Sequence, residues 1–133
     1  MADSILKFNG YTVERLCFVK HNVAPSNEPI RIQHHISKKA NKEQNGFFTS
    51  TLKFETVPTE NVSYPFDIEV ILTGHFQFDA NITDQRTIDT IVEQNSFAIL
   101  FPFLRSVIAS LTATANIPPI ILPVINLSQS KEV

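Results

Sequence analysis

The chain has 133 residues, enough for one domain that buries a core without disulfides or a structural metal. Charged residues make up 18% and the hydrophobic set 43%, a balance that excludes a disordered chain. The net charge of -2 provides no whole-molecule field for nucleic acid, and the lone Cys17 excludes an intrachain disulfide. The opening Met1-Ala2-Asp3-Ser4 is not a basic leader, and no run approaches the roughly 20 apolar residues of a membrane span. A cytoplasmic location without membrane insertion is therefore expected.

In chain order, residues 7–20 read as a strand carrying Tyr11, Val13, Leu16, Phe18 and Val19, with Gly10 a candidate bulge. A second strand is expected over 30–36, where Ile30, Ile32, His34 and Ile36 alternate with Arg31, Gln33 and His35. Lys38, Lys39 and Lys42 then fall in a stretch that reads as a loop, with turn formers over 41–46. The third strand is 47–56, with Phe48, Leu52 and Phe54 on one face. The fourth, 66–79, has the clearest alternation: Phe66, Ile68, Val70, Leu72, Gly74, Phe76 and Phe78 against Asp67, Glu69, Ile71, Thr73, His75, Gln77 and Asp79. A period of two over that length requires an extended chain. Short polar connections between the strands favour antiparallel pairing.

After Asp79 the period changes. Thr83-Asp84 can cap a short helix carrying Ile88, Ile91 and Val92, and Asn95 or Ser96 a longer one reaching about Ala115. Leu100, Leu104, Val107, Ile108 and Leu111 recur on it at spacings of three and four, and Pro102 belongs to its first turns or marks a kink. Phe97, Phe101 and Phe103 widen its apolar surface beyond one stripe. A single sheet covers one side of a helix, so Phe97, Phe101, Leu104, Val107, Ile108 and Leu111 are the expected contacts of self-association. Residues 116–127, NIPPIILPVINL, contain three prolines and read as an extended apolar segment, with a polar tail over 128–133.

No catalytic pattern is present, so no enzyme activity, cofactor or metal is expected. Gly10, Gly46 and Gly74 are too few and too scattered for a phosphate-cradling loop. Cys17 has no local base, and His34 and His35 point to opposite faces of a strand, so they do not chelate together. Asp67 and Glu69 share one strand face, where a solvated surface or partner patch outweighs acid-base chemistry.

Three blocks in order then resemble one family. Ile99-Leu100-Phe101-Pro102-Phe103-Leu104-Arg105, the segment Asn116 to Asn126, and Pro65-Phe66-Asp67-Ile68-Glu69-Val70 with Gly74-His75-Phe76 are similar to stretches of SecB export chaperones. The opening Phe8-Asn9-Gly10-Tyr11 resembles theirs more loosely. The resemblance implies an α+β fold, a four-stranded antiparallel sheet followed by helices packed on one face, forming a single domain over 1–133. It further implies a homotetramer built as a dimer of dimers, an ATP-independent hold on unfolded preproteins, and delivery to the export ATPase SecA. Ile30, Ile32, Ile120 and Leu122 match apolar client-groove positions. Glu69 matches the acidic position shown to SecA, with Asp67 beside it where the family has an apolar residue, while other motor-facing acids are absent around Arg15 to Val19. The groove wall that the family's terminal helix forms is expected to be shortened or missing after Leu127. A dedicated client such as an antitoxin, or an oligomer without client binding, are the alternatives; the lysine loop only weakly suggests a nucleic-acid or small-ligand module.

Overall fold

A computed structural model describes residues 5–21, 33–57 and 66–117, and the backbone of 131–132. Strands β1 (Leu6–Lys20), β2 (His34–Lys42), β3 (Phe47–Thr56) and β4 (Phe66–Phe78) precede helices α1 (Gln85–Thr90) and α2 (Ser96–Thr114). A two-residue β5 (Lys131–Glu132) follows. The sheet order is β1-β4-β3-β2-β5. The first four strands pair antiparallel, as expected, and β5 adds to β2 in parallel.

The alternation of β3 and β4 becomes one buried face. Phe48, Leu52, Phe54, Ile68, Val70, Leu72 and Phe76 are at most 1% exposed, and α2 lies across them. From α2, Phe97, Leu100, Phe101, Leu104 and Ile108 complete the core. Burial of each such side chain contributes about 1.5–3 kcal/mol.

β1 keeps its apolar residues on this same side by breaking its own alternation. The register shifts between Phe8 and Tyr11 and again between Val13 and Arg15. Each shift inserts one residue, so Phe8, Tyr11, Val13, Leu16 and Phe18 all pair with inward residues of β4. Gly10, at φ +100°, accommodates the first, as its residue type suggests; the second, at Glu14, has no glycine to announce it.

Two expectations need correction. β2 begins at His34 and extends through Lys42, so Lys38, Lys39 and Lys42 lie in a strand and not in a loop. Nine consecutive pairs with β3 outweigh the low strand propensity of lysine and asparagine. The β2–β3 turn then shrinks to Glu43–Gly46, with Asn45 and Gly46 at positive φ. There the Gly46 carbonyl accepts the Phe78 amide at 2.9 Å, and a Cβ would run into the Phe78 carbonyl.

The helices are also not separately capped. A π-helical turn over Ile91–Asn95 joins α1 to α2, and Asn95 and Ser96 both have helical backbone angles. Asp84 does occupy the N-cap of α1, and its carboxylate accepts the Thr87 hydroxyl at 2.6 Å. That hydrogen bond holds the Asp84 pKa below its ordinary value. Pro102 sits inside α2 on its exposed side, where water can satisfy the carbonyl its missing amide leaves free.

Candidate functional site

The residues expected to join subunits are mostly used inside one. Phe97, Leu104 and Ile108 are 0% exposed and Phe101 5%, all against the sheet of their own chain. Val107 and Leu111 remain half-buried. The outward stripe of α2 is Ala98, Pro102, Ser106 and Ser110, small and exposed, so the helix is not apolar all round. The four buried residues face the sheet of their own chain and are used in its core, which leaves Val107 and Leu111 as the expected contacts still partly open to a partner.

Among the described residues, most of the exposed large apolar side chains lie on β1, with Ile5, Phe47 and Val57 outside it. α2 reaches the aromatic end of this strand, where the Phe103 ring centroid is 5.4 Å from that of Phe8 and 5.0 Å from that of Tyr11. Between that point and Phe18, which stacks on Phe66, the inward face of β1 is bare: Val13 is 43% and Leu16 52% exposed, with Tyr11 at 39%. These three form a contiguous apolar stripe on a sheet edge, a surface that soluble proteins usually cover. The sequence carries these residues, but their exposure depends on where α2 stops.

The opposite face of the sheet is polar. Asp67 and Glu69 lie there together, yet both are engaged. Arg15 Nε is 3.1 Å from Glu69 Oε1, and His21 Nε2 is 2.7 Å from Asp67 Oδ2. Glu55 pairs directly with Glu69 across β3 and β4, an unfavourable like-charge neighbour that Lys53, 3.7 Å from Glu55, offsets. Cys17, Val19, Glu55, Asp67 and Glu69 border a shallow depression at this end of the face. Further along, His75 meets the Thr12 hydroxyl at 2.9 Å. Among the described residues, no three metal-ligating side chains converge.

β2 behaves unlike a surface strand. Lys38 is 6% exposed; its ammonium donates to the Glu93 carbonyl at 3.3 Å and stands 5.3 Å from the centroid of the Phe97 ring. The carbonyl and the ring face together satisfy a buried cation without a carboxylate. His34 stacks on Phe54 with ring centroids 5.3 Å apart, while His35 takes the other face, as their adjacency requires. Burial, with the His35 charge as a second cause, lowers the His34 pKa from 6.5. Ile30, Ile32, Ile120 and Leu122, the expected client-groove positions, lie outside the described residues.

A profile of the family described as preprotein translocase subunit SecB matches residues 18–130. An uncharacterized protein of Methanocaldococcus jannaschii, MJ0357, is 33% identical over 126 residues, spanning 92% of this chain and 80% of its own. The fold is similar to that of the Mycobacterium tuberculosis Rv1957 SecB-like chaperone, solved with a ChAD peptide from the Rv1956 HigA1 antitoxin. Its TM-score is 0.73 at 11% identity, over 90% of each chain. A Streptococcus agalactiae protein of unknown function is similar at a TM-score of 0.54 and 12% identity, covering 92% of this chain and all of that one.

Proposed function

Because the chain belongs to the SecB family, we propose that it is an ATP-independent holding chaperone that binds unfolded polypeptide and works as a homo-oligomer. The observation that carries this reading is a family match running from residue 18 to 130 on a fold shared with a peptide-bound SecB-like chaperone. The bare stripe of Tyr11, Val13 and Leu16 supports assembly: a second copy laid against β1 would cover it and end an exposed sheet edge. Val107 and Leu111 extend the same contact. Clients would occupy grooves that include Ile30, Ile32, Ile120 and Leu122, several per particle. Each groove holds an unfolded segment weakly, and a long client gains by engaging more than one.

Export and a dedicated client remain two roles for this one activity. In the export role, Asp67 and Glu69 would dock SecA in the cytoplasm. The ion pairs of Glu69 with Arg15 and of Asp67 with His21 favour the dedicated client, for example an antitoxin, since a basic motor surface must first displace those cations.

The deciding experiment adds purified protein to an unfolded, aggregation-prone precursor without nucleotide. Suppressed light scattering at stoichiometric oligomer is the expected result. Aggregation at the rate of the precursor alone would remove the chaperone reading.

A further inference from the structure

β2 holds the helical segment through two lysines on one face of the strand, and the two grips differ. Lys38 is buried, with its ammonium on the Glu93 carbonyl of the π-turn at 3.3 Å and over the Phe97 ring. Lys42, further along the same face, meets the Asp89 carboxylate of α1 at 3.5 Å, with both side chains half exposed. The parts they hold differ in the same sense. Ile91 and Val92 of the π-turn are at most 1% exposed, and the buried Ser96 donates to the Val92 carbonyl. α1 buries none of its residues. Ile88 and, in the turn before it, Ile82 are only partly buried against the core. Among the described residues, the other side-chain hydrogen bonds of α1 stay within residues 84–90. A helix this short has little stability of its own in water, so partial contacts and one solvated ion pair keep it in place.

Resting on the client-binding reading above, we propose that residues 80–90 form a cover that opens about the π-turn when the Lys42–Asp89 latch releases. Opening frees Ile82 and Ile88, with the core surface they cover, for an apolar stretch of unfolded client. Lys42 pairs with Phe48, so that surface lies at the Phe48 end of the sheet. Asp79 fixes one end of the cover, its amide donating to the Ile5 carbonyl at 3.1 Å, and Lys38 fixes the hinge at the other. The sheet and α2 therefore stay packed in the open form. An ion pair between solvated side chains weakens with salt, so ionic strength sets how often the cover opens.

The test uses the full chain, with reduced, carboxymethylated α-lactalbumin as the unfolded probe. In the parent the Ile88 amide, bonded to the Asp84 carbonyl at 3.0 Å, should exchange with deuterium faster than the Leu104 amide, and faster still at high salt. Asp89→Asn breaks the latch without adding bulk. It should speed Ile88 exchange about two- to fivefold, the range an exposed ion pair supports, and remove its salt dependence. Probe affinity should rise by the same factor, because a client that takes only the open form binds in proportion to its population. Lys42→Glu/Asp89→Lys restores a pair and should return both readings to those of the parent. If the parent does not bind the probe at all, the chaperone reading falls and this proposal with it. If Ile88 exchanges as slowly as Leu104, or Asp89→Asn leaves probe affinity unchanged, α1 is not a client gate and the chaperone reading stands.

Discussion

The hydroxyls of Ser50 on β3 and Ser96 on α2 meet at 2.6 Å, both fully buried, and Ser96 also donates to the Val92 carbonyl at 2.8 Å. Since Ser96 has one proton and gives it to Val92, Ser50 must be the donor between the two. The pair joins the sheet to the point where the π-turn becomes α2. Ser96→Ala strands both the Ser50 hydroxyl and a bond to the Val92 carbonyl, and should cost about 1–3 kcal/mol. Ser50→Ala leaves the Ser96 donor satisfied and should cost less. The double variant should be less destabilised than the sum, which a urea double-mutant cycle measures. Strict additivity would mean that the hydroxyls act independently.

Leu16→Glu tests assembly. The side chain is more than half exposed in the single chain, so the fold should survive with its circular dichroism unchanged. The charge would sit in the middle of the proposed contact and should shift the mass by light scattering toward monomer at micromolar concentration. An oligomer of unchanged mass would move the interface away from β1.

Glu69→Lys and Arg15→Ser separate structure from docking. The Arg15–Glu69 pair is largely solvated, so either change should alter stability by at most about 1 kcal/mol. If SecA docks on this face, Arg15→Ser should strengthen SecA binding by uncovering the carboxylate and Glu69→Lys should weaken it. Equal SecA binding by parent and both variants would leave the face without a motor partner.

Ile32→Ser or Ile120→Ser tests the groove. Each removes about 1.5–3 kcal/mol of apolar burial per occupied groove, so affinity for a long unfolded client should fall more than tenfold in a variant of unchanged oligomer mass. Loss of oligomer mass together with binding would instead identify a core position.

His34 predicts an acid sensitivity. Its folded pKa lies below 6.5 through burial first and His35 second, so the unfolded chain binds more protons near that pH. The contribution is fully present above 6.5 and is lost as pH falls through the folded pKa. His34→Phe retains a ring against Phe54, and its urea midpoint should fall less than the parent's between about pH 7.5 and about pH 5.5. Equal falls would assign the sensitivity to other groups.

The strands with one buried face were legible because burial and period coincide: β3 and β4 end where their alternation ends. The part of β2 beyond Ile36 was not, because a strand held mainly by pairing needs no apolar pattern, and its buried lysine looks from the sequence like a solvated one. The β1 stripe was half legible. Gly10 marks the inserted residue that brings Tyr11 onto the face of Phe8, but Glu14, whose insertion brings Leu16 onto the face of Tyr11, looks like any other exposed position. The aromatic residues of α2 gave a correct count of apolar side chains and a wrong destination. How much of a helix its own subunit encloses depends on tertiary geometry that spacing does not record.

The buried ammonium of Lys38 has a consequence for how the sheet aligns itself during folding. Ser37, Lys38, Lys39, Ala40, Asn41 and Lys42 contain almost nothing that hydrophobicity can use to choose between neighbouring alignments on β3. A slip of one residue would turn Lys38 outward and bring Ser37 or Lys39 toward the core. Only the native alignment brings an ammonium to the Glu93 carbonyl and the face of Phe97 while leaving no other charge of β2 inside. Lys38 thereby adds a polar requirement to an alignment that Ile36, the buried apolar residue on the same face of β2, also favours.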